Sequence, residues 1–149
     1  MKKKYELSEE TINIDGSILY KIRALGDFVD KGYNLGGYIE SEENLSHEGD
    51  CWISDDAMIY ENAQISNDAY VGGRAQVFGS VQVFSGARVL QDARVSGGAW
   101  VSGNAQVCGD AWICKDGYIH IGSSAKIDHG VWTQCIPLNG KYYVTSSPT

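Results

Sequence analysis

Proline is nearly absent from this sequence, with two in 149 residues against eighteen glycines. So few rigid breaks among so many flexible corners is the balance of a repeat protein rather than of a linker. No apolar run approaches the ~20 residues that a bilayer crossing needs. The start, Met-Lys-Lys-Lys-Tyr-Glu-Leu-Ser-Glu-Glu, lacks the apolar stretch of a secretory signal. The expectation is therefore a soluble cytoplasmic protein, with no membrane partner. Four cysteines, Cys51, Cys108, Cys114 and Cys135, form no C-x-x-C pair and no His/Cys cluster at zinc spacing. They read as reduced, small apolar residues, and neither a metal nor a cofactor is expected. Apolar residues make up 43% of the chain, enough to offset the cost of ordering it. The length allows one domain or one short solenoid.

Basic residues are also in deficit, and the net charge is −7. Bulk electrostatics oppose direct nucleic-acid binding and attraction to an anionic membrane. The imbalance is local. Residues 1–56 hold thirteen acids and six bases, and the stretch 40–56 carries Glu40, Glu42, Glu43, Glu48, Asp50, Asp55 and Asp56 with no base at all. Two readings stand beside each other: a solvated cap that keeps the protein soluble, or an acidic pole that docks on a basic partner.

What the sequence does contain is a repeat. Six-residue steps from Ile53 give Ile59, Ile65, Val71, Val77, Val83, Val89, Val95, Val101, Val107, Ile113 and Ile119. Four residues after each stands a small residue, usually alanine: Ala57, Ala63, Ala69, Ala75, Val81, Ala87, Ala93, Ala99, Ala105, Ala111, Gly117 and Ser123. A helix would scatter these positions around its surface. Strand alternation instead sends the alanine and the branched residue of small–x–Val–x inward, as in Ala99-Trp100-Val101-Ser102. Pairs such as Asn67-Asp68, Gly97-Gly98 and Gly103-Asn104 make corners between strands. Three hexapeptides close one triangular coil of eighteen residues, and coils stack as parallel strands about 4.8 Å apart.

These motifs resemble the hexapeptide-repeat left-handed β-helix superfamily, over residues 53–120. The resemblance implies a left-handed winding. The segment Asn34-Leu-Gly-Gly-Tyr-Ile-Glu-Ser-Glu-Glu-Asn-Leu-Ser-His-Glu-Gly-Asp-Cys-Trp, followed by Ala-rich hexapeptides, is similar to small bacterial and phage-associated hexapeptide proteins labelled transferase-like or polymer-forming. The expected fold is all-β: a single-stranded left-handed parallel β-helix of about five coils with hairpin caps at both ends. Residues 1–34 are the N-terminal cap and loop, 35–131 the β-helix, and 132–149 the C-terminal cap. An imperfect first coil over 35–52 keeps Ile39, Leu45 and Cys51 at the alanine phase, and a bulge falls near Tyr118–Gly122. Thr11–Ile14, Asp15-Gly16 and Ser17–Arg23 form one hairpin; Trp132–Leu138, Asn139-Gly140 and Lys141–Thr145 form the other. Residues 24–34 are a loop, and 1–8 and 146–149 are frayed.

Many hexapeptide proteins resembling this one are acyltransferases, with a His general base in a groove between subunits and a loop leaving the coil. The weak catalytic candidates are His120, His129 and His47. His120 follows Ile119 and points outward beside Ser102 and Phe84, His129 falls in a corner or near the bulge, and His47 lies beside Glu48, in a solvated corner or as a proton-transfer pair. The β-helical carbonic anhydrases use three zinc-binding histidines, a spacing these three do not match. Function is therefore expected in the outward rows. One face stacks Trp52, Tyr70, Arg88 and Gln106, with Ser54, Gly72, Leu90 and Cys108 beside them. A second stacks Met58, Gln76, Arg94 and Trp112, with Tyr60, Phe78, Ser96 and Cys114. The third stacks Gln64, Gln82, Trp100 and Tyr118, with Ser66, Phe84, Ser102 and His120. Such ladders stabilise stacked coils, and aromatics with arginine also compose binding hot spots. Three functions are weighed. The first is a non-enzymatic scaffold that self-associates as dimer or trimer and binds a protein partner. The second is a phage- or mobile-element-encoded inhibitor whose acidic pole blocks a basic, nucleic-acid-binding host protein. The third is an acyl-CoA-dependent transferase.

Overall fold

From Ile53 to Ile113, every member of the branched row and of the small-residue row is fully buried, at 0–1% exposure. The computed structural model describes residues 3–26, 29, 32, 34–122, 124–132, 135–138 and 141–144. In it these two rows close an all-β parallel solenoid of about five turns. The strands are β1 (Tyr5–Ile14), β2 (Ser17–Ala24), β3 (Leu35–Ile39), β4 (Trp52–Ile53), β5 (Met58–Ile59), β6 (Gln64–Ile65), β7 (Tyr70–Val71), β8 (Gln76–Val77), β9 (Gln82–Val83), β10 (Arg88–Val89), β11 (Arg94–Val101), β12 (Gln106–Val107), β13 (Trp112–Ile121), β14 (Lys126–Ile127), β15 (Val131–Trp132), β16 (Cys135–Leu138) and β17 (Lys141–Val144). Within the regular coils each residue pairs in parallel with the one eighteen further on: Tyr70 with Arg88, Gln76 with Arg94, Gln64 with Gln82. Backbone amides climb from coil to coil, as Met58 N–H donates to Ala75 O at 2.9 Å.

The corners explain why acids and amides occupy so many of them. Asp55, Glu61, Asn67 and Gln91 hold φ between 57° and 62°, a left-handed conformation that favours glycine. Each accepts, through its side-chain oxygen, the backbone N–H of the corner above. Asp55 takes Gly73, Glu61 takes Gly79, Asn67 takes Ser85, and Gln91 takes Gly109 at 2.6 Å. The side chain thus satisfies an amide that the short strands leave unpaired, and this offsets the local backbone cost.

The N-terminal hairpin is longer than expected. β1 begins at Tyr5, and Lys4, Tyr5 and Ser8 are buried, so residues 3–8 are not frayed. β2 pairs antiparallel with β3, which pairs in parallel with β5, so the cap and the second face form one continuous sheet. Gly37 marks how close they lie: a Cβ there would stand 2.5 Å from Ile53 Cγ2. The first coil departs from the expected phase. Ile39 pairs with Ile59 and Leu45 with Ile65, twenty residues apart, so both lie under the branched row and not under the alanines. Two extra residues are taken up between Leu45 and Trp52, where Trp52 again meets Tyr70.

The second slip also falls elsewhere. Gly97 pairs with Lys115 but Gly98 with Tyr118, which places the bulge at Asp116–Gly117, ahead of the expected Tyr118–Gly122. Ile119 consequently pairs with Ala99, and Ile121 replaces it in the branched row on Val101. Trp132 belongs to the last coil, where β15 pairs with β13, and the C-terminal hairpin is β16 with β17. Of the expected elements, Ser123, the Asn139-Gly140 turn, Thr145 and residues 146–149 lie outside the described residues, as do 1–2 and 27, 28, 30, 31 and 33 of the loop.

Candidate functional site

Alternation along each short strand fixes which side chains leave the coil, and the eighteen-residue register stacks them into rows. On the first face Trp52, Tyr70, Arg88 and Gln106 follow one another as expected, with Lys126 above them. Trp52 is nevertheless 1% exposed and belongs to the core cluster, so it cannot serve a binding face. Its neighbour Cys51 is covered by the N-terminal segment, which closes this end of the row. Tyr70 is half-buried and bonds Ser54. Leu90 is half-buried and Arg88 exposed.

The second face carries the densest aromatic row. Tyr60 and Phe78 stack with centroids 4.9 Å apart and planes 7° from parallel. Above them the Arg94 guanidinium lies 5.7 Å from the ring of Trp112, which is 42% exposed. Below, Lys21 Nζ stands 4.7 Å over the Tyr38 ring, and the Tyr38 hydroxyl donates to Glu10. Burial raises the phenol pKa of Tyr60, and the Glu61 and Asp15 carboxylates add to it. On the third face Phe84 meets Trp100 edge to face at 6.0 Å. The bulge changes the top of that row: His120 pairs with Trp100, and Tyr118 with Gly98. In register His120 therefore joins the row of Trp100 and Gln82, and not that of Ser102 and Phe84.

His47 is not in a solvated corner. Its side chain is 11% exposed, and its ring stacks on Tyr5 at 4.1 Å with planes 10° apart. Nδ1 accepts the Lys4 amide at 3.3 Å, which leaves Nε2 to donate to Glu42 Oε1 at 2.9 Å. Its partner is thus Glu42 and not Glu48. This His47 hydrogen bond, with Lys3 at 3.2 Å, holds the Glu42 carboxyl below its usual range. Lys4 is buried and donates to the carbonyls of Gly49 and Cys51 and to the Cys51 sulfur. Tyr5 Oη donates to the carbonyls of Glu42 and Leu45, and burial drives the Tyr5 and Cys51 pKa values up. Asn44, 1% exposed, donates to the carbonyls of Glu61 and Ala63 and accepts the amides of Glu40 and Ser41. Lys4, Tyr5 and Asn44 stand in for the missing lower coil, satisfying carbonyls that a further strand would have used. Sequence reading missed all three. The signal was available only in Asn44, which ends a short 3-10 helix over Glu42–Asn44 and sits three residues after its N-cap Ser41.

The acidic stretch divides accordingly. Glu42 is paired, Glu40 accepts the Glu61 amide, and Asp55 the Gly73 amide. Glu43 and Glu48 are exposed and make no salt bridge among the described residues, and Asp50 and Asp56 are exposed beside them. At another corner His129 Nδ1 lies 2.7 Å from Asp128 Oδ1, whose carboxyl this contact lowers. Both are more than half exposed, at the edge of an open concavity of about 550 Å³ lined by Arg74, Gln91, Asp92, Asp110 and Asp128. Arg74 and Asp92 already close on each other at 2.8 Å. Among the described residues no group of histidines, cysteines and carboxylates is placed to hold a metal ion.

The fold and these faces define a capped parallel β-solenoid with a filled interior and chemically distinct walls. No family model and no curated protein matches the chain. Its function is read from this geometry.

Proposed function

We propose that the protein is a non-enzymatic β-helical binding module, working through its flat outer faces in self-association and in holding a protein partner. The supporting observation is the contrast between its interior and its walls. Side chains of 0–1% exposure fill the coil from Ile53 to Ile113, while Tyr60, Phe78, Arg94 and Trp112 stand on one outer face. Aromatics and arginine on a rigid sheet are the composition of interface anchors, which lose little side-chain freedom on binding. The hexapeptide resemblance, with left-handed winding and a cytoplasmic setting, belongs to the same reading. The test replaces Tyr60, Phe78, Arg94 and Trp112 together by serine and compares oligomeric mass and partner capture with the unaltered chain. Loss of either with retained folding is the expected result. Turnover of an acyl-CoA donor by the unaltered chain, with binding indifferent to every outer face, overturns the proposal.

The exposed Glu43 and Glu48 favour a second reading, in which the acidic end occupies a basic surface on a host protein. Replacing both by glutamine then abolishes capture of that partner.

A further inference from the structure

We infer that the occupant of the second face is a second copy of this chain, laid against it antiparallel about a two-fold axis that passes beside Gln76 and Phe78. The inference rests on the reading that outer faces bind, and it names what one of them takes.

Three observations single out this face. It holds the stacked Tyr60–Phe78 pair and the exposed Trp112 together. It is also continuous with β3, β2 and β1, so it extends as one sheet past the end of the coil. The first face, by contrast, loses Trp52 to the core and is interrupted by Gly72. The stacked rings turn their edges outward, because their flat sides are spent on each other. Such a surface suits interdigitation with other side chains better than a ring-on-ring platform for a planar ligand.

Charge chooses the orientation. The upper part of the face carries Arg94, which has no carboxylate partner among the described residues, between Gln76 and Trp112. The lower part is bordered by Glu10, Asp15, Glu40 and Glu61, against Lys21 and an Arg23 that is already paired with Glu6. A parallel pairing puts both Arg94 side chains on one rung, which costs association. An antiparallel pairing centred on the Gln76–Phe78 rung brings Arg94 onto the Met58–Tyr60 rung beside Glu61. The same pairing brings Trp112 onto Tyr38. The axis then lies along the strands, so each row faces its own reversed copy, and Phe78 meets Phe78. Five rungs spaced about 4.8 Å give a contact on the order of 1,000 Å² in total, the lower bound for a specific interface. An interface at that lower bound is a weak, reversible one.

The experiment is cross-linking on the full chain carrying Cys114→Ser and Cys135→Ser, which removes the half-buried Cys114 thiol described on this face and the remaining C-terminal thiol. Met58→Cys and Arg94→Cys are made separately. Oxidation of either alone is expected to leave monomers, and an equimolar mixture to give a covalent dimer. Phe78→Cys alone is expected to dimerise. Efficient Met58→Cys self-linking, or a three-chain product, overturns the antiparallel pairing. A monomeric mass by light scattering at tens of micromolar overturns the inference outright, while partner capture lost on substituting this face would still sustain the broader binding reading. Phe84→Ser serves as the folding control on the third face. If it dissociates the dimer and Phe78→Ser does not, the wrong wall has been chosen.

Discussion

Glu42 joins two distant parts of the chain through one carboxylate. It receives His47 Nε2 and Lys3 Nζ on the same carboxylate, and the His47 bond is the chief reason its carboxyl titrates low. A carboxyl depressed in the folded state adds stability above its unfolded pKa and loses it as pH falls through the folded value. The wild type should therefore weaken from about pH 5 downward, the range in which unfolded glutamates protonate. Glu42→Gln should lower the urea midpoint at pH 7 by a contribution under about 1 kcal/mol, since the pair is partly solvated. The difference between the two proteins should shrink as pH falls through the lowered Glu42 value. A constant gap across that range would show that the pairing contributes nothing. None of this was legible in the residues. An acidic run announces charge, but not which carboxylate a distant N-terminal lysine and a stacked histidine will claim.

Elements differ in how openly the chain declares them. The regular coils were readable because two inward rows repeat without interruption, and a strand of period two admits only one orientation for them. An inserted pair of residues preserves apolar content while changing which row it joins: the first slip went unread, and the second was read as a bulge but placed at Tyr118–Gly122 instead of Asp116–Gly117. Ile119 looks like another branched rung, yet the extra residues Asp116 and Gly117 move it onto Ala99. The lower cap was hidden differently, because its parts are polar side chains doing the work of backbone. Asn44 is the clearest of them, with two amide donations and two acceptances, all to main chain. Asn44→Ala should cost on the order of 2–4 kcal/mol, because carbonyls and amides lose partners in a site that excludes water. Asn44→Asp should recover part of that loss, keeping the acceptor and losing the donor. Urea denaturation of the three proteins measures it, and equal midpoints would make the cap ornamental.

At the scale of the whole molecule, the candidate surfaces were partly legible. The rows of the first two faces came directly from the eighteen-residue step, and the Tyr60–Phe78 stack follows from it. Trp52 did not, since a side chain that leaves the coil is exposed only where nothing is laid over it. His47 failed on the same ground: the stretch that buries it starts more than forty positions earlier in the chain.

Because every regular turn consumes the same length of chain, the rod is quantised. Excising residues 64–81 joins Ala63 to Gln82, keeps each wall on its own side, and sets the Gly97 corner where Gly79 stood above Glu61. Such a shortened chain should unfold cooperatively, with strand content reduced by one turn in circular dichroism. Removing only 64–69 should fail, since it rotates everything downstream by one third of a revolution and breaks the walls. Evolution could thus lengthen or trim this protein in whole storeys, as one adds floors to a tower, without redesigning what each side displays.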